Sequence, residues 1–381
     1  MPPSYVIGNA RIVDPGRGTD CLGELLIANG RIAASRDELD SGKVNQIDAT
    51  GCIATPGLID FHAHLARWQT DTGVNPDLMA IPNGITAAVD AGSTGTAGAE
   101  GFIRHVIPNS EITIRMFVNV SAIGVATELH KENPNPSLYD EAALADLCDR
   151  FPDLVLGLKI RLGKSFSDGW GAASLDRAKE IARKIGKPLC VHATNPEISY
   201  DRLLGVMERG DILCHCYQGG DHTILADDGR VAKALSKARE RGVLFDAAVG
   251  RINYDLEVAA KALADGFPPD IVSTDVVSTS LYHPKLFHLL RVASLFLALG
   301  MPLDQVIRAC TDTPARLMGM EGEIGALTPG ARADVAIFAV REKPVHFSDA
   351  RGHTINDDRL LIPQATFKNG RLLYKQIDFE Y

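Results

Sequence analysis

Between residues 56 and 329 the chain alternates short apolar runs with longer stretches whose apolar residues recur at helical spacing. Runs at 86–90, 114–120, 154–160, 189–193, 212–216, 243–247 and 271–274, with the one ending at His62, give eight candidate strands. Near-continuous hydrophobicity marks strands buried on both faces, as in a parallel sheet. Helical patterns at 174–185, 230–240 and 256–264 lie between them, with Gly186, Gly242 and Gly266 just past their ends, where helix termini favour glycine. Eight such alternations predict an α/β fold, a TIM (β/α)8 barrel. A doubly wound sheet is the alternative, but no G-x-G-x-x-G follows the first strand.

The texture changes at both ends. Residues 4–55 hold short β-like runs, Tyr5-Val6-Ile7-Gly8-Asn9, Glu24-Leu25-Leu26-Ile27 and Gln46-Ile47-Asp48, with Asn29-Gly30 as a hairpin signal. After Pro329-Gly330 similar runs return at 333–338 and 365–374. The prediction is a small β-sandwich domain built from residues 1–55 plus 330–381, beside a catalytic barrel at 56–329.

Composition narrows the functional classes. A hydrophobic share of 45% and a charged share of 23% fit a packed globular protein. The net charge of −9 argues against a nucleic-acid surface. Residues 1–14 show no basic segment followed by an apolar one, so no secretory signal is read there. The apolar stretch 289–303 is interrupted by Arg291 and Ser294 and is too short to span a bilayer, so it reads as an amphipathic helix and no membrane partner is expected. Seven scattered cysteines do not form a disulfide framework, and a reducing cytoplasm is expected. Cys214-His215-Cys216 resembles a metal knot, but in a strand the two thiols face away from His215 and read as buried packing.

The chemistry concentrates at the ends of the strands. His62 and His64 stand two residues apart after an apolar run, a spacing that puts both rings on one face of a strand and roughly 200° apart on a helix. Reading the carboxyl ends of the runs in order gives His62/His64, Asp90, Asn119, Lys159, His192, His215, Ala247 and Asp275. In a barrel those positions converge. Lys159 follows Leu154-Val155-Leu156-Gly157-Leu158, and a lysine so buried is costly unless neutralised or paired. Desolvation lowers a lysine pKa and makes the amine nucleophilic, so CO2 addition would give a carbamate able to bridge two cations. A lysine snorkelling to water or paired with Asp275, or one forming a Schiff base, are the other readings.

The motifs Pro56-Gly57-Leu58-Ile59-Asp60-Phe61-His62-Ala63-His64, Gly157-Leu158-Lys159, Val191-His192-Ala193, Cys214-His215-Cys216 and Ser273-Thr274-Asp275 together resemble the amidohydrolase superfamily. Thr311-Asp312-Thr313-Pro314-Ala315-Arg316, Gly325-Ala326-Leu327 and Pro329-Gly330-Ala331-Arg332-Ala333-Asp334 extend the resemblance, which runs from about residue 4 to about 375. It implies that His62, His64 and Asp275 hold the more buried metal, that His192 and His215 hold a second, and that carboxylated Lys159 bridges them. Zinc suits such ligands best, and manganese, iron or cobalt also fit. A hydroxide bridging the metals would attack, Asp275 would take its proton and pass it to the leaving group, and the second metal would polarise the carbonyl.

Within the superfamily, deaminases carry a glutamate a few residues after a metal histidine. Here Ala193-Thr194-Asn195-Pro196 follows His192 and Glu197 falls off that pattern. Dihydroorotases read HxHxR, and here Ala66 holds the arginine place while Arg67 comes one residue late, on the other face of an extended segment. Asp90-Ala91-Gly92-Ser93-Thr94-Gly95 and the Lys159/Arg161 pair look like deacetylase-type members. The expectation is therefore a deacetylase of small acylated carboxylates, N-acyl amino acids or O-acyl hydroxy acids, with dihydroorotase- or hydantoinase-like ring opening as the alternative. A substrate carboxylate would need a cation, for which Arg67, Arg161 and Arg251 are candidates, with His283 as a further contact. A catalytically dead barrel serving assembly predicts lost ligands, and none of the set is missing. A homo-oligomer is expected by analogy alone.

Overall fold

The computed structural model describes residues 3–40, 42, 44–281 and 288–379. His283 and its neighbour Tyr282 lie outside the described residues. The first strands are β1 (Ser4–Asp14), β2 (Thr19–Ala28), β3 (Arg31–Ile32), β4 (Val44–Asp48) and β5 (Cys52–Pro56). The middle of the chain contributes β6 (Leu58–Ala63), β7 (Ile85–Ala91), β8 (Thr113–Asn119), β9 (Val155–Leu162), β10 (Leu189–Ala193), β11 (Ile212–Cys214) and β12 (Leu244–Asp246). Three strands close the chain, β13 (Val335–Ser348), β14 (Thr354–Lys368) and β15 (Arg371–Lys375).

Both chain ends enter one sheet, in the order β15-β14-β13-β5-β1-β2-β3, with β4 also pairing β1. The join is the antiparallel β13–β5 pair, registered Val335 to Pro56, which sets the last strands directly before the first strand of the middle. Alternation drives this: Tyr5, Ile7, Ile27, Ile47, Ile337 and Phe367 turn to one face and form their own core. Asn29 and Gly30 both take positive φ, 52° and 79°, the paired left-handed geometry of a two-residue hairpin. Asn369 and Gly370 repeat it at 49° and 72° between β14 and β15, a turn that the sequence reading did not single out.

The β13–β14 hairpin is longer than its apolar runs suggested. Its outer half carries Val345, Phe347 and Leu361 into the main core, against the helix Leu289–Ala298. Leu361 N donates to the buried Ser294 Oγ at 3.0 Å, so the polar interruption in that apolar stretch is a docking point. Among the described residues, no helix is long and apolar enough to cross a membrane.

The middle strands form a seven-stranded parallel sheet, β12-β11-β10-β9-β8-β7-β6. Its strands are buried almost throughout, which is why they read as continuous apolar runs. The helices Gly171–Ile185, Lys233–Glu240 and Leu256–Ala264 fall close to the predicted spans. The expected eighth strand differs. Residues 271–276 make single parallel bridges, Asp246 to Ile271 on one side and Ala63 to Val276 on the other. Asp275 takes φ +53°, which breaks the extended geometry that a full strand needs. The segment is nonetheless tied to β6: Asp275 N donates to His62 O at 2.7 Å, and buried Asp60 accepts from Thr274 N and Oγ1 at 3.1 and 2.5 Å.

Candidate active site

His62 ends its apolar run inside β6, His192 lies on β10, His215 follows β11 immediately, and Asp275 sits on the bridging segment. Their placement at one end of the parallel sheet brings the rings together. The His192 and His215 centroids are 4.3 Å apart, those of His62 and His215 5.2 Å, and those of His62 and His64 6.0 Å. Asp275 Oδ1 lies 3.3 Å from His64 Nε2 and 3.6 Å from His62 Nε2.

The partners on the far side of each ring decide where the protons are. His62 Nδ1 stands 3.0 Å from Asp246 Oδ2, and His215 Nδ1 stands 2.7 Å from the Ala248 carbonyl. Both partners accept, so each Nδ1 carries the hydrogen and each Nε2 keeps its lone pair. His64 Nδ1 lies 2.8 Å from Ser93 Oγ, whose own hydrogen goes to Asp90 Oδ2 at 2.7 Å, so this Nδ1 also donates. Burial lowers the His62 and His192 imidazoles well below their ordinary range and His215 to about 3, which keeps them neutral.

Lone pairs of His62, His64 and Asp275 therefore face one another without a hydrogen between them. Such a cluster repels itself unless a cation fills it, and imidazole plus carboxylate is a donor set for a divalent transition metal. His62, His215 and Asp275 can each direct one ligand atom within 4.8 Å of the others. His192 Nδ1 faces His215 Nε2 at 2.8 Å, and its buried Nε2 has no partner among the described residues. The residues present thus fit a metal centre.

Lys159 is 1% exposed and lies below this cluster on β9. Its Nζ contacts Cys190 Sγ at 3.6 Å and Cys214 Sγ at 3.7 Å, with the two sulfurs 3.2 Å apart. Two sequence expectations change here. Cys214 is not mere apolar packing, because its thiol touches the lysine. Nor is the lysine pKa lowered: burial pulls it down, but Cys190, Cys214, Asp275 and Asp246 outweigh burial and raise it above the ordinary value. The lysine stem packs on Gly92, where a Cβ would come within 2.4 Å of Lys159 Cβ.

Above the cluster opens a cavity of about 500 Å³, lined by His64, Arg161, Phe166, His192, Asn253 and Asp275 among others. Arg161 is held in place: its guanidinium stacks on Phe166 at 4.4 Å and pairs with buried Glu132 at 3.5 Å. Arg251 also lines the cavity and pairs with Glu128 at 3.1 Å. Arg67 is not among the lining residues; it stacks on the exposed Trp68 ring at 4.6 Å.

A profile of the Amidohydrolase family matches residues 53–373. The chain belongs to that family. Deacetylase Atu3266 of Agrobacterium fabrum (strain C58 / ATCC 33970) is 28% identical to it over 363 residues, 94% of this chain and 89% of the relative. A crystal structure of a dihydroorotase is similar at TM-score 0.88 and 27% identity, covering 98% of each chain. A crystal structure of an adenine deaminase reaches TM-score 0.87 at 24% identity, covering 98% of this chain and 100% of the other, a likeness of fold.

This amidohydrolase is accordingly a hydrolase, of a generally metal-dependent family. Sequence reasoning missed three of the residues that organise its site, and it singled out the run containing Ser93 without the bond to His64. Asp246 stands one residue before the strand end taken to be Ala247. Asn253, whose Nδ2 donates to Asp275 Oδ2 at 2.9 Å, and Glu132 lie in loops without any local signal.

Proposed function

We propose that the protein is a binuclear metal-dependent hydrolase that cleaves the amide or ester bond of a small acylated carboxylate, an N-acyl amino acid or O-acyl hydroxy acid. In this reading residues 56–329 form a (β/α)8 catalytic barrel closed by the bridging segment, and residues 1–55 plus 330–381 form the small β domain. His62, His64 and Asp275 would hold one cation, His192 and His215 a second, with zinc the best match to these ligands. Lys159, carboxylated by CO2, would be shared by both. Its anionic surroundings keep the amine protonated, and two cations beside it would act in the opposite sense. Divalent cations there supply Lewis acidity, bringing water towards ionisation at neutral pH and polarising a carbonyl.

The chain's own residues do the rest. Asp275 accepts the proton of the attacking water and returns it to the leaving group, while Asn253 donates to Oδ2 and fixes the carboxylate with Oδ1 turned towards His62 and His64. Arg161, flattened on Phe166 and backed by Glu132, presents its remaining donors to a substrate carboxylate, and Arg251 is the second candidate. The anchored guanidinium beside the lone-pair cluster is the observation that carries this reading, and the deacetylase name of a 28% identical relative agrees with it.

A second reading, ring opening of a cyclic amide, is favoured by the likeness to a dihydroorotase structure at TM-score 0.88. A turnover screen separates them: N-acetyl amino acids and O-acetyl hydroxy acids against dihydroorotate and hydantoins. Acetate release with inert rings is expected. Ring opening alone would overturn the acyl-hydrolase reading.

A further inference from the structure

Next to the substrate cavity lies a second hollow of about 400 Å³, and the two share Lys131, Glu132, Lys164, Ser165 and Phe166 as walls. Each volume alone suits a small ligand of roughly 300–1,000 Å³ pocket size. An acetyl group on a small amino acid leaves most of that space unfilled. The substrate path therefore continues past Arg161 into a compartment flanked by two ammonium groups.

The charges there are unevenly satisfied. Lys131 Nζ donates to the Ser165 carbonyl and has no carboxylate partner among the described residues. Lys164 pairs with Asp221, but that carboxylate is 62% exposed, and an exposed pair of this kind is worth about 1 kcal/mol or less. Glu132 is already engaged by Arg161 and by Asn119 Nδ2 at 3.2 Å, and Glu128 by Arg251. Asp168 is the other acid on the wall of the outer hollow. In a chain of net charge −9, Lys131, Arg161, Lys164 and Arg251 thus gather around one opening. Glu128, Glu132, Asp168 and Asp275 on the same walls match these cations in number, so what sets the two lysines apart is that neither ammonium has a buried carboxylate partner among the described residues, which leaves both able to pair with an anion that enters the hollow.

We propose that Lys131 and Lys164 form a second anion subsite, so that the substrates are acylated dicarboxylates of the N-acyl aspartate or glutamate class, with one carboxylate at Arg161 and the other between the lysines. The subsite rests on the acyl-hydrolase reading above. It adds a specificity which that reading leaves open, because a neutral side chain would place nothing against the two ammoniums.

The test compares racemic N-acetylglutamate with racemic N-acetylglutamine on the metal-loaded enzyme, the two differing in one charge at nearly constant shape. The expected result is an acid-to-amide ratio of kcat/KM of about tenfold or more, the size of one charge-assisted contact, carried mainly by KM and shrinking as salt rises. In K131M/K164M the ratio should fall to within about twofold, and in K131R/K164R it should be largely kept. A general structural loss would lower both substrates and leave the ratio standing. Turnover of both compounds at equal kcat/KM by the wild type would overturn the subsite while sparing the acyl-hydrolase reading. A preference that survives in K131M/K164M would also overturn it. No turnover of either compound would overturn the subsite, and the O-acetyl hydroxy acids and other N-acetyl amino acids of the turnover screen would then decide the acyl-hydrolase reading separately.

Discussion

Replacing Asp246 by Asn tests whether the far-side partners set the protonation of the clustered rings and, with it, the proposed metal binding. Asp246 Oδ1 accepts from Ala248 N at 3.1 Å and from Ser273 Oγ at 2.5 Å, while Oδ2 faces His62 Nδ1 at 3.0 Å. The backbone N–H of Ala248 can only donate, so it holds the amide oxygen of an Asn on its own side. The NH2 then points at His62 Nδ1, donor against donor. Relief requires the imidazole hydrogen to move to Nε2, which removes the lone pair aimed towards Asp275. Loss of such a partner typically weakens metal binding 10–100-fold, or about 1.4–2.7 kcal/mol at 1.36 kcal/mol per tenfold. Burial already pushes Asp246 up to about 6, so removing its charge relieves a desolvation cost, and the metal-free protein should not be destabilised. Competition with a chromophoric chelator measures the affinity, and urea unfolding of metal-stripped protein measures the stability. Unchanged affinity in D246N would refute the reasoning. An equal drop in metal-free stability would make Asp246 a structural residue.

His64→Ala or Asp275→Ala should abolish turnover with the circular dichroism spectrum retained, and an active variant of either kind would remove the assigned roles. Gly92→Ala places a Cβ within 2.4 Å of Lys159 Cβ at φ +82°, so strain of about 1–2 kcal/mol and overpacking of about 1–3 kcal/mol should lower the urea midpoint clearly. An unshifted midpoint would mean that the lysine stem has room. His353 is raised above its ordinary pKa by its bond to Asp349 at 2.9 Å and by that charge. Its folded value exceeds its unfolded one, so the contribution is fully present below an unfolded pKa of about 6.5 and fades as pH rises through the folded value. The melting-temperature gap between wild type and His353→Gln should therefore narrow from pH 5.5 to 8.5; a constant gap would exclude the charge as its cause.

What the sequence revealed and what it hid follow from the range of the interactions. The middle strands were legible because burial on both faces makes each a local apolar run, and the His62/His64 spacing was legible because a strand has period two. The last expected strand was not, since Asp275 at φ +53° needs a backbone turn that Ser273-Thr274-Asp275 does not announce. The long β13–β14 hairpin escaped because its outer half alternates exposed and buried positions and becomes apolar only where the helix Leu289–Ala298 covers it. The ring partners show the limit most clearly. Asp246 meets His62 across a separation of 184 residues, and Asn253 meets Asp275 across two different connections after the sheet. Which residue of β12 faces a given histidine depends on strand register, and a slip of one residue turns Asp246 away and Ala247 inward. Metal-competent residue types can therefore be found from spacing along one strand. The partner that fixes each ring's tautomer lies on another strand or in a loop, for His62 at the opposite end of the sheet, so it is set only when the sheet is assembled. An Asp246 variant probes that dependence directly, because it alters no proposed ligand and no wall of the substrate cavity.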